Sequence, residues 1–236
     1  SGFFALSANK RLWTLWRIIM KFKEAVTYDD MLLVPQYSDI ESRKEVDIGN
    51  SLGHRKFRLP IIASPMDTVS ESDMAIAMYQ AGALAVLHRY NSIEDQQRMA
   101  KTVIEHTEWS GNIAAAIGVT DDYLKRAEAL VATGVDILCV DVAHGHHSLM
   151  RKALTTLRDA FADHIYIMAG NVCTLEGIND LADWGANAVR CNIGGGSICS
   201  TRIVTGHGLP GLQTIFDCAK TDRDVAIIAD GGIKTS

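Results

Sequence analysis

Seven short apolar runs recur along the chain from residue 60 onward, and they constrain the fold more than any other feature. Their first residues lie 23 to 37 positions apart, which is the spacing of strand–helix units. The runs are continuous rather than alternating, as expected for parallel strands buried on both faces. They span residues 60–64, 83–88, 112–119, 136–142, 164–172, 187–194 and 224–232.

The stretches between the runs predict helices, for example at 70–82, 120–134 and 174–185, with Gly82 and Gly134 as helix ends. Polar residues follow nearly every run. In a (β/α)₈ TIM barrel all these strand ends meet at one mouth, so we predict an α/β barrel. A doubly wound sheet is the alternative, although it would gather such residues at a single crevice.

The predicted domain boundaries follow from the same pattern. Ser236 comes four residues after the seventh run, so we expect an incomplete barrel over residues 20–236 that ends after strand 7. Residues 1–19 are basic and aromatic and precede Met20. We interpret them as a non-native upstream extension, the alternative being a targeting peptide or an amphipathic anchor.

Composition narrows the functional class. The net charge is −5 and no basic stripe is present, which argues against nucleic-acid binding. The longest apolar runs are far shorter than the ~20 residues of a membrane-spanning helix, so we expect no membrane partner. The five cysteines form no CxxC pair, which indicates a reducing compartment and a cytoplasmic location.

The segment 192–211 is the strongest candidate for a reactive site. Gly194, Gly195 and Gly196 end the sixth run, and Cys199 follows in what we predict to be a long loop. Glycines allow a ligand to approach the backbone closely, and a thiol there is a candidate nucleophile if a cation such as Arg202 lowers its pKa. The alternative is a packed cysteine in a structural turn.

A second candidate follows the seventh run. Asp230 could accept hydrogen bonds from two ribose hydroxyls, and the backbone of Gly231 and Gly232 could bind a phosphate, as loops after strand 7 of barrels often do. The alternative is a tight turn with an Asp cap. The HxH pair in 141–147 has no further ligand at suitable spacing, so a metal site there is disfavoured.

Six motifs occur in order and at consistent spacing, and together they resemble the IMP dehydrogenase and GMP reductase family from about Met20 onward. The most specific is GGGSICSTR. The others are TYDDMLLVPQ, IIASPMDTVSE, DVAHGH, MAGNV and IIADGGI.

This resemblance implies a role for each matching position. Cys199 would be the nucleophile that attacks C2 of the purine, with Thr201 beside it. The substrate would contact Ser64, Met66, Ser197, Asp230 and Gly232. Asp141, Asn171 and Arg202 would lie on the side of the site where the nicotinamide cofactor binds. A potassium ion would be held by the backbone carbonyls of Gly194, Gly196 and Cys199.

The resemblance leaves two activities open. An IMP dehydrogenase would convert IMP, NAD and water to XMP and NADH, whereas a GMP reductase would convert GMP and NADPH to IMP, ammonia and NADP. SPMDTV, AHGH, GGGSIC and ADGGI favour the dehydrogenase, while TGHGLPGLQTI and the missing regulatory insert after strand 2 favour the reductase. We favour the dehydrogenase, as a homotetramer when complete. The 236-residue chain itself would be inactive, or a nucleotide-binding fragment only.

Overall fold

The computed structural model describes residues 24–107 and 112–234. The predicted extension 1–19 lies outside the described residues. The strands are β1 (Asn50–Leu52), β2 (Arg55–Phe57), β3 (Ile62–Ala63), β4 (Leu84–Leu87), β5 (Ala114–Ile117), β6 (Ile137–Asp141), β7 (Tyr166–Val172), β8 (Ala188–Cys191) and β9 (Ala226–Ala229). The α-helices are α1 (Ser72–Ala81), α2 (Ile93–His106), α3 (Tyr123–Thr133), α4 (Ser148–Phe161), α5 (Leu175–Asp183), α6 (Thr201–Thr205) and α7 (Gly211–Cys218). Short 3₁₀ turns occupy Tyr28–Asp30, Arg43–Glu45 and Ala162–His164.

Strands β3 to β9 form one parallel sheet in which spatial order equals chain order. Each strand pairs with the next one along the chain, as in the five-residue register of Ile137–Asp141 against Tyr166–Gly170. A doubly wound sheet would show a reversal of strand order, and none occurs among these seven strands. The sheet curls into part of a barrel, so the predicted α/β barrel architecture is confirmed, with each strand shorter than its apolar run.

Side chains alternate between two buried layers of the sheet. Leu87, Leu138 and Val189 point outward to the core beneath the helices, whereas Val86, Cys139 and Ala188 point into the barrel. This period of two is the ordinary pleat of a strand. It means that the last inward position of each strand faces the mouth at the carboxyl end.

A β-hairpin that the sequence pattern did not predict lies at the opposite end of the barrel. Strands β1 and β2 pair antiparallel around Gly53. Arg55 donates to the Asp136 carboxylate at 2.8 Å and lies over the Tyr166 ring, while Phe57 packs into the inner core. The hairpin therefore contacts the amino ends of β6 and β7 and leaves the carboxyl ends free for a site.

The segment 192–211 is not the continuous loop that we expected. Residues Thr201–Thr205 form the short helix α6, which ends on Gly206 with φ of 70°, and α7 begins at Gly211. Apolar residues in STRIV and a glycine stop are compatible with one helical turn, which the glycine content of the segment obscured. In the parts of the chain that the structure describes, no helix is long and apolar enough to cross a membrane.

Candidate active site

Arg190 is the central charged group at the mouth of the barrel. It is the last inward residue of β8, and its guanidinium donates to the carboxylates of Asp141 at 2.6 Å and Asp230 at 3.0 Å. The guanidinium also lies 3.7 Å from the Cys139 sulfur. Burial alone would lower the pKa of Arg190, but the groups facing it outweigh burial and raise the pKa. The arginine therefore stays charged and bridges two carboxylates carried by different strands.

Asp230 brings together residues from four strand ends. Its carboxylate accepts from the Asn171 amide, from Arg190, and from the Ser64 hydroxyl at 3.5 Å. The predicted site residues Ser64, Asn171 and Asp230 are therefore neighbours, as the barrel arrangement requires. Asp230 also lines an apolar inner groove of about 530 Å³, together with Ser64 and Arg190.

Local irregularity in β7 directs Asn171 into the mouth. The pairing of β7 with β8 shifts register between Gly170 and Val172, which breaks the simple alternation there. Gly170 has no room for a side chain, since a Cβ would lie 2.7 Å from Cβ of Arg190 and 2.9 Å from its carbonyl oxygen. The Asn171 amide also donates to the Asn192 carbonyl at 2.9 Å, so β7, β8 and the loop after β9 are joined at this point.

Cys199 lies on the loop between β8 and α6 and is half-buried. A hydrogen bond from the Thr201 hydroxyl is the largest effect on the Cys199 thiol and lowers its pKa. Backbone N–H groups of Thr201 and Gly194 and the charge of Arg202 act in the same direction, while burial opposes them. The predicted nucleophile and its predicted neighbour are thus in contact, and this contact favours the thiolate form of Cys199.

The other cysteines differ from Cys199 in burial or acidity. Burial raises the pKa of both Cys139 and Cys173 to about 11. A hydrogen bond with Cys218 raises the pKa of Cys191 and lowers that of Cys218, and both of these thiols are fully buried. Cys199 is therefore the partly exposed cysteine whose pKa is lowered.

The two glycine-rich segments of the sequence pack directly on one another. A Cβ on Gly232, which has φ of 80°, would lie 2.8 Å from the Gly195 carbonyl oxygen, and one on Gly231 would lie 3.6 Å from Cα of Gly196. A side chain at Gly232 would push the Cys199 loop away from the turn that carries Asp230. This close approach brings the candidate nucleophile and the candidate ribose ligand to the same part of the mouth.

A second cavity, the glycine-loop cavity, opens beside these segments and has a volume of about 590 Å³. Its cationic side chains are Arg202 and Lys234, and its backbone lining includes Gly194, Gly195 and Gly232. Ser197 also lines it and is exposed. Asp29 also lines the cavity and pairs with Lys234 at 3.1 Å, so Arg202 and the backbone of the glycine-rich turns are the groups that suit an anion such as a phosphate.

Arg202 lies among these residues rather than in the Arg190 cluster. Its guanidinium donates to the Gly194 carbonyl oxygen, whereas the cation bonded to the Asp141 side chain is Arg190. Met66 follows β3, and its backbone N–H donates to the Ser64 carbonyl at 2.8 Å within the same turn. The roles predicted for Arg202 and Met66 remain predictions.

Two of the three histidines of the 141–147 segment have structural partners. His146 bonds to the Asp180 carboxylate at 2.8 Å, and His147 accepts a hydrogen bond from the Leu149 N–H at the start of α4. Within residues 24–107 and 112–234, no group of three or more His, Cys, Asp or Glu side chains could hold a metal ion.

Sequence reasoning missed Arg190 and Asn192. Both lie in the run 187–194, where the apolar pattern predicts only a strand. Counting the pleat would have found Arg190, because Ala188 and Arg190 share the inward face. Asn192 has φ of 152° and interacts through both its backbone and its side chain, and no sequence signal indicates such contacts.

Comparison with known proteins agrees with this geometry. The model of the IMP dehydrogenase / GMP reductase domain matches residues 25–236. An inosine-5'-monophosphate dehydrogenase of Nitrosopumilus maritimus is 29% identical, over 92% of this chain and 71% of that protein. A GMP reductase of Acidovorax sp. is 35% identical, over 90% of this chain and 64% of that protein.

A solved structure shows the same likeness in three dimensions. The crystal structure of inosine 5' monophosphate dehydrogenase from Legionella pneumophila is 45% identical and superposes with a TM-score of 0.82. The superposition covers 90% of this chain and 64% of the Legionella chain. This chain therefore spans about two thirds of the length of these relatives. On the family match and on this structural agreement, the chain belongs to the IMP dehydrogenase and GMP reductase family.

Proposed function

We propose that this site carries out oxidation or reduction at C2 of a purine nucleotide through a covalent adduct on Cys199, and we favour the IMP dehydrogenase reaction. The observation that carries the proposal is the partly exposed Cys199 thiol, whose pKa is lowered beside Thr201, on a loop packed against the Asp230 turn. A soft thiolate is a suitable nucleophile for an electron-poor ring carbon.

Different residues of the site would bind the nucleotide and react with it. Asp230 accepts hydrogen bonds from the ribose hydroxyls, with Ser64 and Met66 along the nucleotide. The exposed Ser197 and the backbone of Gly232, at the cationic glycine-loop cavity, hold the phosphate. With both ends of the nucleotide fixed, C2 is presented to Cys199 at a high effective concentration.

In the dehydrogenase direction the Cys199 thiolate forms a bond to C2 of IMP. C2 then loses a hydride, and hydrolysis of the resulting thioimidate gives XMP and returns the thiol. When bound, NAD supplies the acceptor for that hydride. Asp141, Asn171 and Arg202 would form the nicotinamide side, and Arg190 holds Asp141 in place at 2.6 Å.

A potassium ion on the carbonyl oxygens of Gly194, Gly196 and Cys199 is compatible with this loop. The Gly194 oxygen accepts from Arg202, and the Gly196 oxygen accepts from the Cys199 N–H at 3.1 Å. Each carbonyl oxygen has a second lone pair, so both could still bind a cation. The ion would stiffen the loop that carries the thiol.

GMP reduction is the second candidate, since relatives with both names match the chain. Here the same Cys199 adduct would form on GMP, ammonia would leave C2, and NADPH would return a hydride to give IMP. The discriminating experiment supplies active protein with IMP plus NAD, or with GMP plus NADPH, and follows the nicotinamide absorbance. Turnover of GMP alone would overturn our preference.

We also propose self-association, up to a homotetramer. The segment after the Tyr28–Asp30 turn exposes consecutive apolar side chains, with Leu32 and Leu33 more than nine-tenths exposed and Val34 three-quarters exposed. A contiguous apolar surface of this kind is typical of a contact between chains. Light scattering on the purified protein tests this, and a monomer at micromolar concentration would contradict it. The expectation that the 236-residue chain alone is inactive stays a prediction, so the activity tests below use a longer form of the protein that turns over the nucleotide.

Cys199→Ala tests the proposed function. Activity should fall to background, because removing the nucleophile removes the covalent intermediate. Cys173→Ala is the matched control and should keep activity, since the pKa of Cys173 is raised to about 11 and its thiol is held neutral. Near-normal turnover by Cys199→Ala would refute the covalent mechanism.

A further inference from the structure

Asn192 occupies a backbone position that disfavours a side chain. It directly follows β8, and its φ of 152° lies in the region where non-glycine residues are uncommon. It is nonetheless 4% exposed and sits under the mouth of the barrel. A strained residue persists only where its surroundings hold it, and such residues cluster at functional sites.

The hydrogen bonds of Asn192 join three strand ends. Its N–H donates to the Val172 carbonyl at 3.0 Å, and its own carbonyl accepts from the Asn171 amide at 2.9 Å. Its side-chain Nδ2 donates to the carbonyl oxygens of Asp230 at 2.9 Å and Gly231 at 3.3 Å. One residue therefore connects the ends of β7 and β8 with the turn that follows β9.

The side chain of Asn192 also supports the glycine loop. A Cβ on Gly195 would overlap the Asn192 amide, 2.5 Å from Oδ1, so the loop backbone rests directly on this group. Oδ1 itself is buried and has no hydrogen-bond partner. An unpaired acceptor is unfavourable for folding. Together with the positive φ, it indicates that the side chain is not retained for stability alone.

We propose that Asn192 is a positioning residue that fixes the Gly194–Gly196 loop relative to the Asp230–Gly231 turn. As a result, Cys199 and Asp230 contact the same bound nucleotide. The inference rests on the proposed function. Asn192 acts through its two neighbours: Gly195 leads into the loop of the thiol, and the Asp230 backbone holds the ribose ligand.

The test is Asn192→Gly in protein that turns over the nucleotide. Glycine accepts the φ of 152° without strain, so the variant should fold although it lacks the Asn192 side chain and its amide hydrogen bonds. We expect kcat to fall about tenfold or more, because a misaligned thiol loses effective concentration. The KM for the nucleotide should change less than threefold. The pH midpoint of Cys199 alkylation should be unchanged, since Thr201, Gly194 and Arg202 remain.

Two further variants separate positioning from a merely structural role. Asn192→Asp replaces the donor with a carboxylate that repels two carbonyl oxygens. Its kcat relative to wild type should rise as the pH falls, because a protonated carboxyl again donates a hydrogen bond. Asn112→Gly is the matched control: Asn112 also has a buried unpaired Oδ1, but it lies at the amino end of β5, away from the mouth. It should leave kcat unchanged.

The outcomes are distinct. If wild-type protein forms the Cys199 adduct and Asn192→Gly forms it at the same rate, the positioning role is overturned and the proposed function stands. If the thiol of Asn192→Gly loses its low-pH reactivity in step with kcat, the role is structural and the inference is again overturned. If wild-type protein forms no adduct with IMP or GMP, both proposals fail.

Discussion

Arg190 on β8 and Asp230 after β9 are joined by a bond of 3.0 Å between Nη2 and Oδ2. The same guanidinium reaches Asp141 on β6 at 2.6 Å, so one cation spans the ribose side and the nicotinamide side of the proposed site. This bridge is mostly buried: the side chains of Arg190, Asp141 and Asp230 are 10%, 17% and 20% exposed. Its geometry leads to the first prediction.

Arg190→Met should destabilise the protein by about 3 kcal/mol, because it leaves two partly buried carboxylates facing each other without a cation. The measurement is the free energy of unfolding from urea titration. Arg223→Met is the matched control. Arg223 pairs with Asp183 at 2.8 Å on the surface, where an ion pair contributes little, so this change should cost under about 1 kcal/mol. Equal losses in the two variants would contradict the bridge.

Gly232→Ala should disturb the site more than Gly206→Ala. Both glycines have positive φ, of 80° and 70°, so both substitutions introduce similar backbone strain of about 1 kcal/mol. At Gly232 the new Cβ would also lie 2.8 Å from the Gly195 carbonyl oxygen, whereas at Gly206 nothing lies within 4 Å. Thermal unfolding and nucleotide affinity measure the difference. An equal fall of nucleotide affinity in both variants would contradict a role for the close packing of Gly232 on Gly195 in nucleotide binding.

Thr201→Val should raise the pKa of the Cys199 thiol, because it removes the side-chain hydrogen bond that lowers this pKa most. The rate of alkylation by iodoacetamide, followed against pH, should then reach its midpoint at higher pH than in wild type. Thr205→Val is the control on the same short helix, since its hydroxyl bonds to the Thr201 carbonyl at 2.8 Å instead. If the pH midpoint is the same in Thr201→Val as in wild type, Thr201 does not lower the pKa of Cys199.

Stability should fall at alkaline pH through the buried thiol of Cys139. Burial raises its pKa from 9.0 to about 11, so the folded state holds the proton more tightly than the unfolded state. The stabilisation is complete below pH 9 and is lost as the pH rises to about 11, amounting to about 3 kcal/mol for a shift of two units. In Cys139→Ala the free energy of unfolding, measured by urea titration at each pH, should fall less steeply between pH 9 and about 11. An identical slope in the variant would contradict the assignment.

The sequence predicted the sheet well because its evidence is local. Each of the seven runs contains a strand, since buried parallel strands need continuous apolar residues such as Ile137–Val140. The β1–β2 hairpin was not predicted, because its strands are only three residues long and their main contacts, Arg55 with Asp136 and Phe57 with the inner core, are distant in the chain.

The candidate site could be predicted only in part. Ser64, Asn171 and Asp230 were expected at one mouth and are in contact there. The bridging role of Arg190 and the packing of Asn192 depend on which strands are neighbours and on a register shift in β7. These contacts depend on the three-dimensional arrangement, so they cannot be predicted from any single segment of the chain.

The most direct test of the central claim is to trap the adduct itself. Active protein is mixed with IMP and NAD, quenched in acid and digested. The mass of the peptide that contains Cys199 is then measured by mass spectrometry. We expect a purine nucleotide bonded to Cys199 in wild type and in Cys173→Ala, and none in Cys199→Ala. Turnover of IMP or GMP with Cys199 unmodified, or undiminished turnover by Cys199→Ala, would contradict the central claim.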